Sequence, residues 1–125
     1  MAFGFLMLLA VLITPLIMAG FGLLFMKKPP KSINDFYGYR TRRSMRNQDT
    51  WNFAHQHFGK LWLVCGLVII PLSFVPVLLV IGKSEQVISM TGLIVLGLQV
   101  ILLLATIIPT ERALKKNFDE YGRPR

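Results

Sequence analysis

The chain offers few side chains for covalent or metal chemistry. It contains one cysteine, Cys65, and two histidines, His55 and His57, among 125 residues. A single cysteine cannot close an intrachain disulfide, and histidines two positions apart on a helix point about 200° away from each other. No H-E-x-x-H, C-x-x-C or G-x-S-x-G pattern is present. We therefore predict no metal site, no cofactor and no catalytic residue, and so a protein that is not an enzyme.

Charged residues are missing from three long apolar stretches, at about 2–26, 61–82 and 87–109. Each stretch reaches the roughly 20 residues that a helix needs to cross a bilayer. Three segments cannot close a barrel, so only helices would satisfy their backbone hydrogen bonds in lipid. The sequence predicts an all-α membrane protein with three transmembrane helices, in which residues 1–125 form a single domain.

The first stretch has two properties that distinguish it from a cleaved secretory signal. No charge precedes Lys27, and the stretch is longer than the apolar core of about 7 to 15 residues in such signals. We expect it to be a retained span.

Acidic residues are also scarce, with six against 14 basic residues. Thirteen of the 14 basic residues lie in 27–60 and 110–125, and only Lys83 lies in the turn between the second and third spans. By the positive-inside rule, segments 27–60 and 110–125 are cytoplasmic and the N-terminus is outside. This distribution favours anionic lipid headgroups as partners of the basic residues, and no nucleic acid.

Segment 27–60 is the longest polar stretch of the chain. Pro29 and Pro30 end the first helix, and a loop follows in which Asn47 or Asp49 can cap a new helix. Aromatic residues then recur at helical spacing, which predicts a short amphipathic helix on the membrane surface that ends near Gly59. The alternative is a continuous extension of the second span.

The remaining spans contain few polar or helix-breaking features. Gln99 is the strongly polar side chain of the third span, and we expect it to bond a neighbouring helix. Pro109 is predicted to end that span, and a cytoplasmic tail at 110–125 follows. A transporter subunit built from Gln99 and Ser73 would require a homo-oligomer, and the absence of ionisable residues from the spans disfavours that hypothesis.

The arginines of the loop are the best candidates for recognition. A guanidinium group matches phosphate or carboxylate with two parallel hydrogen bonds. Arg40 directly follows Tyr37-Gly38-Tyr39, so a turn would hold it in place and a specific role is favoured. Arg42 and Arg43 are equally well explained as a solvated basic loop that fixes topology.

At this loop the sequence resembles the SdpI family of small bacterial membrane proteins. Residues 37–60 read YGYRTRRSMRNQDTWNFAHQHFGK, similar to a family signature with a glycine, an Arg-Thr pair and a later Trp-x-x-Ala-His. The positions that match are Asn34, Gly38, Arg40, Thr41, Ser44, Asn47, Trp51, Ala54, His55 and Gly59.

The resemblance implies immunity to a secreted, membrane-active peptide toxin, in a multi-pass protein of the bacterial inner membrane. It also implies, as a second partner, a cytoplasmic regulatory protein that is sequestered at the membrane. The alternative is a membrane enzyme or lipid-headgroup-binding protein that acts through Arg40, His55 and the surrounding loop.

Overall fold

The computed structural model describes residues 2–125, and these residues form four helices. They are α1 (Ala2–Lys27), α2 (Gln48–Val80), α3 (Glu85–Ala105) and α4 (Ile107–Asn117). Three helical stretches are long and apolar enough to cross a membrane: α1, α2, and α3 continued by α4. The prediction of an all-α membrane protein with three spans is confirmed.

Helix α2 differs from the prediction at its start. The prediction of a separate amphipathic helix was wrong and the alternative of a continuous extension of the second span is confirmed, because one helix of 33 residues runs from Gln48 to Val80. At 1.5 Å per residue it is about 50 Å long, well beyond the hydrocarbon thickness. Its first turns therefore project past the membrane-spanning part and form one wall of the polar end of the molecule.

Glycines explain why α2 does not turn at Gly59. A Cβ on Gly59 would lie 2.7 Å from the carbonyl oxygen of Gly22, and one on Gly22 would lie 2.6 Å from that of Gly59. A Cβ on Gly66 would likewise lie 2.8 Å from the carbonyl oxygen of Pro15 in α1. The glycines serve close packing of two spans, as small residues commonly do in membranes.

The side chain of Gln99 joins all three spans near the middle of the helices. Pro15 has no N–H, so the carbonyl of Val11, four residues earlier, loses its helical donor. The Gln99 amide nitrogen of α3 donates to that carbonyl oxygen at 2.7 Å and to the Ser73 hydroxyl of α2 at 2.7 Å. The prediction that Gln99 bonds a neighbouring helix is confirmed.

Pro109 does not end the third span, contrary to the prediction. The helix is interrupted for one residue at Thr106, and α4 then continues to Asn117 with Pro109 as its third residue. Proline is tolerated there because the first amide groups of a helix have no intrahelical acceptor. The Thr106 hydroxyl accepts a hydrogen bond from the Trp62 indole at 2.9 Å, which ties the interruption to α2.

The two ends of the bundle are unequal. A short turn at residues 81–84 joins α2 to α3 at one end. The other, which we call the loop end, carries the segment between α1 and α2 together with α4 and the C-terminal residues. There the Asn47 side chain donates to the carbonyl oxygen of Gly122 at 2.7 Å, so the end of the chain folds back onto the start of α2.

Candidate functional site: the loop between the first two helices

The loop begins with a tight turn at Asn34. The Asn34 side-chain oxygen accepts hydrogen bonds from the backbone N–H groups of Phe36 and Tyr37 at 2.9 and 2.7 Å. Asparagine is favoured in such turns because its side chain replaces a backbone acceptor. The turn leaves Phe36 92% exposed.

Gly38 and His55 form the centre of the loop. Gly38 has φ of +111°, a region that glycine enters without a steric penalty. A Cβ at this position would also lie 2.5 Å from Nε2 of His55. The conformation delivers the next amide to the imidazole: the N–H of Tyr39 donates to Nε2 of His55 at 2.9 Å.

Both ring nitrogens of His55 are occupied by backbone groups. Nε2 accepts from Tyr39, so it carries no proton, and Nδ1 lies 2.8 Å from the Trp51 carbonyl oxygen and must be the donor. The ring is completely buried and packs edge-on against Phe25 of α1. His55 is therefore a neutral residue that joins loop to helix, with no free nitrogen for proton transfer.

Tyr39 connects the loop to α4. Its ring is 5% exposed and packs on Phe58, while its hydroxyl donates to Glu111 Oε1 at 2.7 Å. Burial, and next the hydrogen bond to Glu111, raise the pKa of Tyr39 far above its ordinary value. Tyr39 thus stays neutral and serves as a donor.

Two reciprocal hydrogen-bonded pairs shape the remainder of the loop. The Thr41 N–H donates to the Ser44 hydroxyl at 2.8 Å, and the Ser44 N–H donates to the Thr41 hydroxyl at 3.2 Å. The Asn47 side chain accepts from the Thr50 N–H at 2.9 Å, while the Asn47 N–H donates to the Thr50 hydroxyl at 3.0 Å. The second pair is a capping box that starts α2.

Trp51 fixes the other arm of the loop. It is fully buried, and its indole N–H donates to the carbonyl oxygen of Pro30 at 2.7 Å. This bond holds the segment that follows α1 against α2.

Arg40 is the exposed, charged member of the signature. One of its guanidinium nitrogens donates to the Asp35 carbonyl oxygen, which anchors the side chain beside the Asn34 turn. Arg40 lies on the wall of an open apolar groove of about 410 Å³, which we call the aromatic groove. Its lining comes from α1, the loop, α2 and α4: Ile17, Phe21, Phe25, residues 36–41, Phe58, Trp62 and Ile107.

The other loop arginines lie in a separate, polar recess of about 360 Å³, which we call the arginine recess. Arg42, Arg43 and Arg46 line it together with Glu111 and Glu120. The Arg43 guanidinium is 3.9 Å from the Glu111 carboxylate, a loose and partly exposed ion pair that contributes little to stability.

The predicted site residues thus divide into two groups. Arg40 is exposed, whereas the other eight are buried or half-buried and form hydrogen bonds or packing contacts within the fold: Asn34, Gly38, Thr41, Ser44, Asn47, Trp51, His55 and Gly59. Tyr39 and Glu111 were not among the predicted site residues. Glu111 could have been noticed as the first acidic residue after the third span, but its pairing with Tyr39 depends on tertiary structure.

The two histidines do not meet, because His57 stacks on Phe53 on another side of α2. Within residues 2–125, no three side chains of His, Cys, Asp or Glu come close enough together to hold a metal ion.

Comparison with known proteins agrees with the loop signature. The model of the SdpI/YfhL protein family matches residues 31–110. The uncharacterized protein YfhL of Bacillus subtilis (strain 168) is 40% identical over 98 residues, which cover 75% of this chain and 76% of that protein. No solved structure matches the chain. The family match spans more than half of the chain and includes the entire loop from Asn34 to Gly59, and the chain therefore belongs to the SdpI/YfhL protein family.

Proposed function

We propose that this protein confers resistance to a membrane-active peptide toxin and that it does so without enzymatic chemistry. The observation that carries the proposal is the position of Arg40 in a chain of this family. It is the one signature residue with a formal charge, and it lies beside the aromatic groove.

The aromatic groove has the chemistry of a site for an amphipathic peptide. Its walls are aliphatic and aromatic side chains that would bury apolar residues of the ligand. The guanidinium group of Arg40 would pair with a carboxylate, either an acidic side chain or the C-terminus. Most of the other signature residues hold this groove in shape, which explains a signature made largely of buried residues.

In the proposed orientation the loop end faces the cytoplasm of a bacterium and the N-terminus lies outside the inner membrane. A toxin that arrives from outside would first meet the short turn at residues 81–84. Ile17 and Phe21, however, are 47% and 39% exposed on α1, so the groove opens toward lipid. A peptide already inserted in the bilayer would reach it sideways.

The alternative of an enzyme or lipid-handling protein that acts through Arg40 and His55 has less support. A histidine that acts as a general acid or base needs a ring nitrogen that can reach the substrate, and both ring nitrogens of His55 are committed to backbone groups in a buried site. Sequestration of a cytoplasmic regulatory protein remains part of the proposal. The exposed Arg42 and Arg46 of the arginine recess would face an acidic surface of that partner.

The proposal is tested by the toxin sensitivity of cells with altered levels of the protein. Deletion and overexpression strains are exposed to a panel of membrane-active peptides, and survival is compared with that of the parent. We expect at least one peptide to kill the deletion strain at a lower dose and the overexpression strain at a higher dose. Equal sensitivity of all three strains to every peptide would refute the proposed function.

A further inference from the structure

A second basic site lies at the loop end, beside the residues that follow α1. A cleft of about 750 Å³ opens there between this segment and α2, and we call it the lysine cleft. Its lining contains three lysines, two prolines and two amides, but no Asp or Glu: Lys27, Lys28, Pro29, Pro30, Lys31, Asn52 and Gln56. The arginine recess, in contrast, contains two glutamates.

The backbone that carries these lysines is fastened to α2 at three points. Side chains of α2 donate hydrogen bonds to three carbonyl oxygens along it: Gln56 to Met26 at 2.9 Å, Trp51 to Pro30 at 2.7 Å, and Gln48 to Lys31 at 2.6 Å. Pro29 and Pro30 further restrict the chain between the fastened points. The lysine cleft is thus a fixed part of the fold.

The cleft presents hydrogen-bond donors that no protein group accepts. The two ion pairs found within residues 2–125 involve arginines, so the three ammonium groups have no carboxylate partner there. The Asn52 oxygen accepts from the Gln48 amide at 2.8 Å, whereas its own amide nitrogen finds no acceptor in the described chain. A ligand that supplies several anionic oxygens would satisfy both features.

The position of the cleft relative to the apolar span identifies the molecule that would supply those oxygens. Lys27 is the last residue of α1, and Leu23 and Leu24 of the preceding turn are 43% and 39% exposed, as expected for lipid-facing residues. The cleft therefore begins where the apolar span ends, at the level of phospholipid headgroups. Basic pockets at this level are suited to anionic lipids.

We propose that the lysine cleft binds the headgroup of an anionic phospholipid and prefers a headgroup with two phosphates. The three ammonium groups carry three positive charges, more than the single negative charge of one phosphodiester can balance, and a headgroup with two phosphodiesters comes closer to balancing them. This proposal does not depend on resistance to a toxin, because it uses residues outside the aromatic groove.

The test is lipid retention by the full-length protein in detergent, measured by native mass spectrometry. The probes are diphosphatidylglycerol, phosphatidylglycerol and phosphatidylcholine, offered at equal concentration. We expect the two-phosphate lipid to bind about tenfold more tightly than phosphatidylcholine, and more tightly than phosphatidylglycerol. Equal binding of all three lipids, or equal binding of the two anionic lipids, would overturn the proposal.

Matched variants locate the site. Replacing the three cleft lysines together (Lys27→Gln, Lys28→Gln, Lys31→Gln) should lower the affinity for the two-phosphate lipid about tenfold. A control variant removes the same charge from exposed positions of α4 (Arg112→Gln, Lys115→Gln, Lys116→Gln). It should change the affinity for the two-phosphate lipid less than about twofold. Arginine at the three cleft positions should preserve binding. A control variant that loses as much affinity as the cleft variant would show a general charge effect and contradict the proposal.

A soluble probe separates a lipid site from a free-phosphate site. Inorganic pyrophosphate carries two phosphates without acyl chains, and we expect it to displace the bound lipid only at concentrations far above that of the lipid. Displacement at equal concentration would overturn the assignment to a lipid.

Discussion

Gly38 and His55 fit together so closely that no side-chain atom can come between them. The positive φ of Gly38 aims the Tyr39 amide at the imidazole, and the imidazole occupies the space in which a Cβ would lie. The glycine, the histidine and the intervening loop of the signature thus form one structural unit. That unit places Arg40 beside the aromatic groove.

This relationship predicts that Gly38→Ala is destabilising. The substitution adds a Cβ 2.5 Å from Nε2 of His55 and forces alanine into a left-handed conformation, at a cost of about 1–3 kcal/mol. Thermal unfolding in detergent measures the change. Gly20→Ala is the matched control, because nothing lies within 4 Å of its added methyl group and it sits in a helix. Equal melting temperatures for the two variants would contradict the packing described here.

In the folded protein the Tyr39 hydroxyl should stay protonated at the pH at which ordinary tyrosines ionise. Its pKa is raised, so its contribution to stability is present below the ordinary value of about 10 and is lost as pH rises above it. Tyrosinate absorbance is titrated in the wild-type protein and in Tyr39→Phe. The two folded proteins should give the same absorbance change between about pH 9 and 11. After denaturation, the absorbance change of Tyr39→Phe should be smaller than that of the wild type by the contribution of one of the three tyrosines. A difference of one tyrosine between the folded proteins would show that Tyr39 is not protected.

Replacing Gln99 should reduce the free energy of unfolding most when Pro15 is present. Gln99→Leu leaves the Val11 carbonyl without a donor and removes a link among three helices, which should cost about 1–2 kcal/mol. In a Pro15→Ala background the restored backbone N–H can take over the Val11 carbonyl, so the same substitution should cost less. A double-mutant cycle in detergent measures this coupling. Additive effects of the two substitutions would mean that Gln99 does not compensate for the proline.

The sequence was sufficient to predict the spans because a charge-free stretch of more than 20 residues leaves the chain few options in lipid. The course of α2 near Gly59 was not predictable in the same way. Gly59 and Lys60 interrupt the apolar run, and only the contact with Gly22 shows why the chain stays helical. The prediction that Pro109 ends the third span failed for a similar reason, because the effect of the proline depends on the helix interruption at Thr106.

The sequence signature was sufficient to locate the candidate site but not to assign a role to each of its residues. Arg40 stood out as a charged residue held by a turn, and the structure places it exposed beside the aromatic groove. The role of His55 was not accessible from the sequence, because it depends on a hydrogen bond across 16 residues. The proximity of Tyr39 and Glu111 spans 72 residues and arises only when α4 packs on the loop.

Loss of Phe36, the most exposed aromatic residue of the aromatic groove, should leave the stability of the protein unchanged but reduce its protective function. Phe36 is 92% exposed, so Phe36→Ser should change the free energy of unfolding by less than about 0.5 kcal/mol. If a peptide docks in the groove, the same variant should protect cells less well. Full protection by Phe36→Ser at normal protein levels would argue against the groove as the docking site.

The role of Arg40 in resistance is tested most directly by the protection that Arg40→Ala confers in a deletion strain that is sensitive to a membrane-active peptide. Arg112→Ala serves as the control, because Arg112 is likewise exposed but belongs to α4 and lies outside the aromatic groove. Membrane levels of both variants are matched by immunoblotting. We predict that Arg112→Ala restores wild-type survival and that Arg40→Ala restores little or none. Full protection by Arg40→Ala at matched levels would show that Arg40 has no part in resistance.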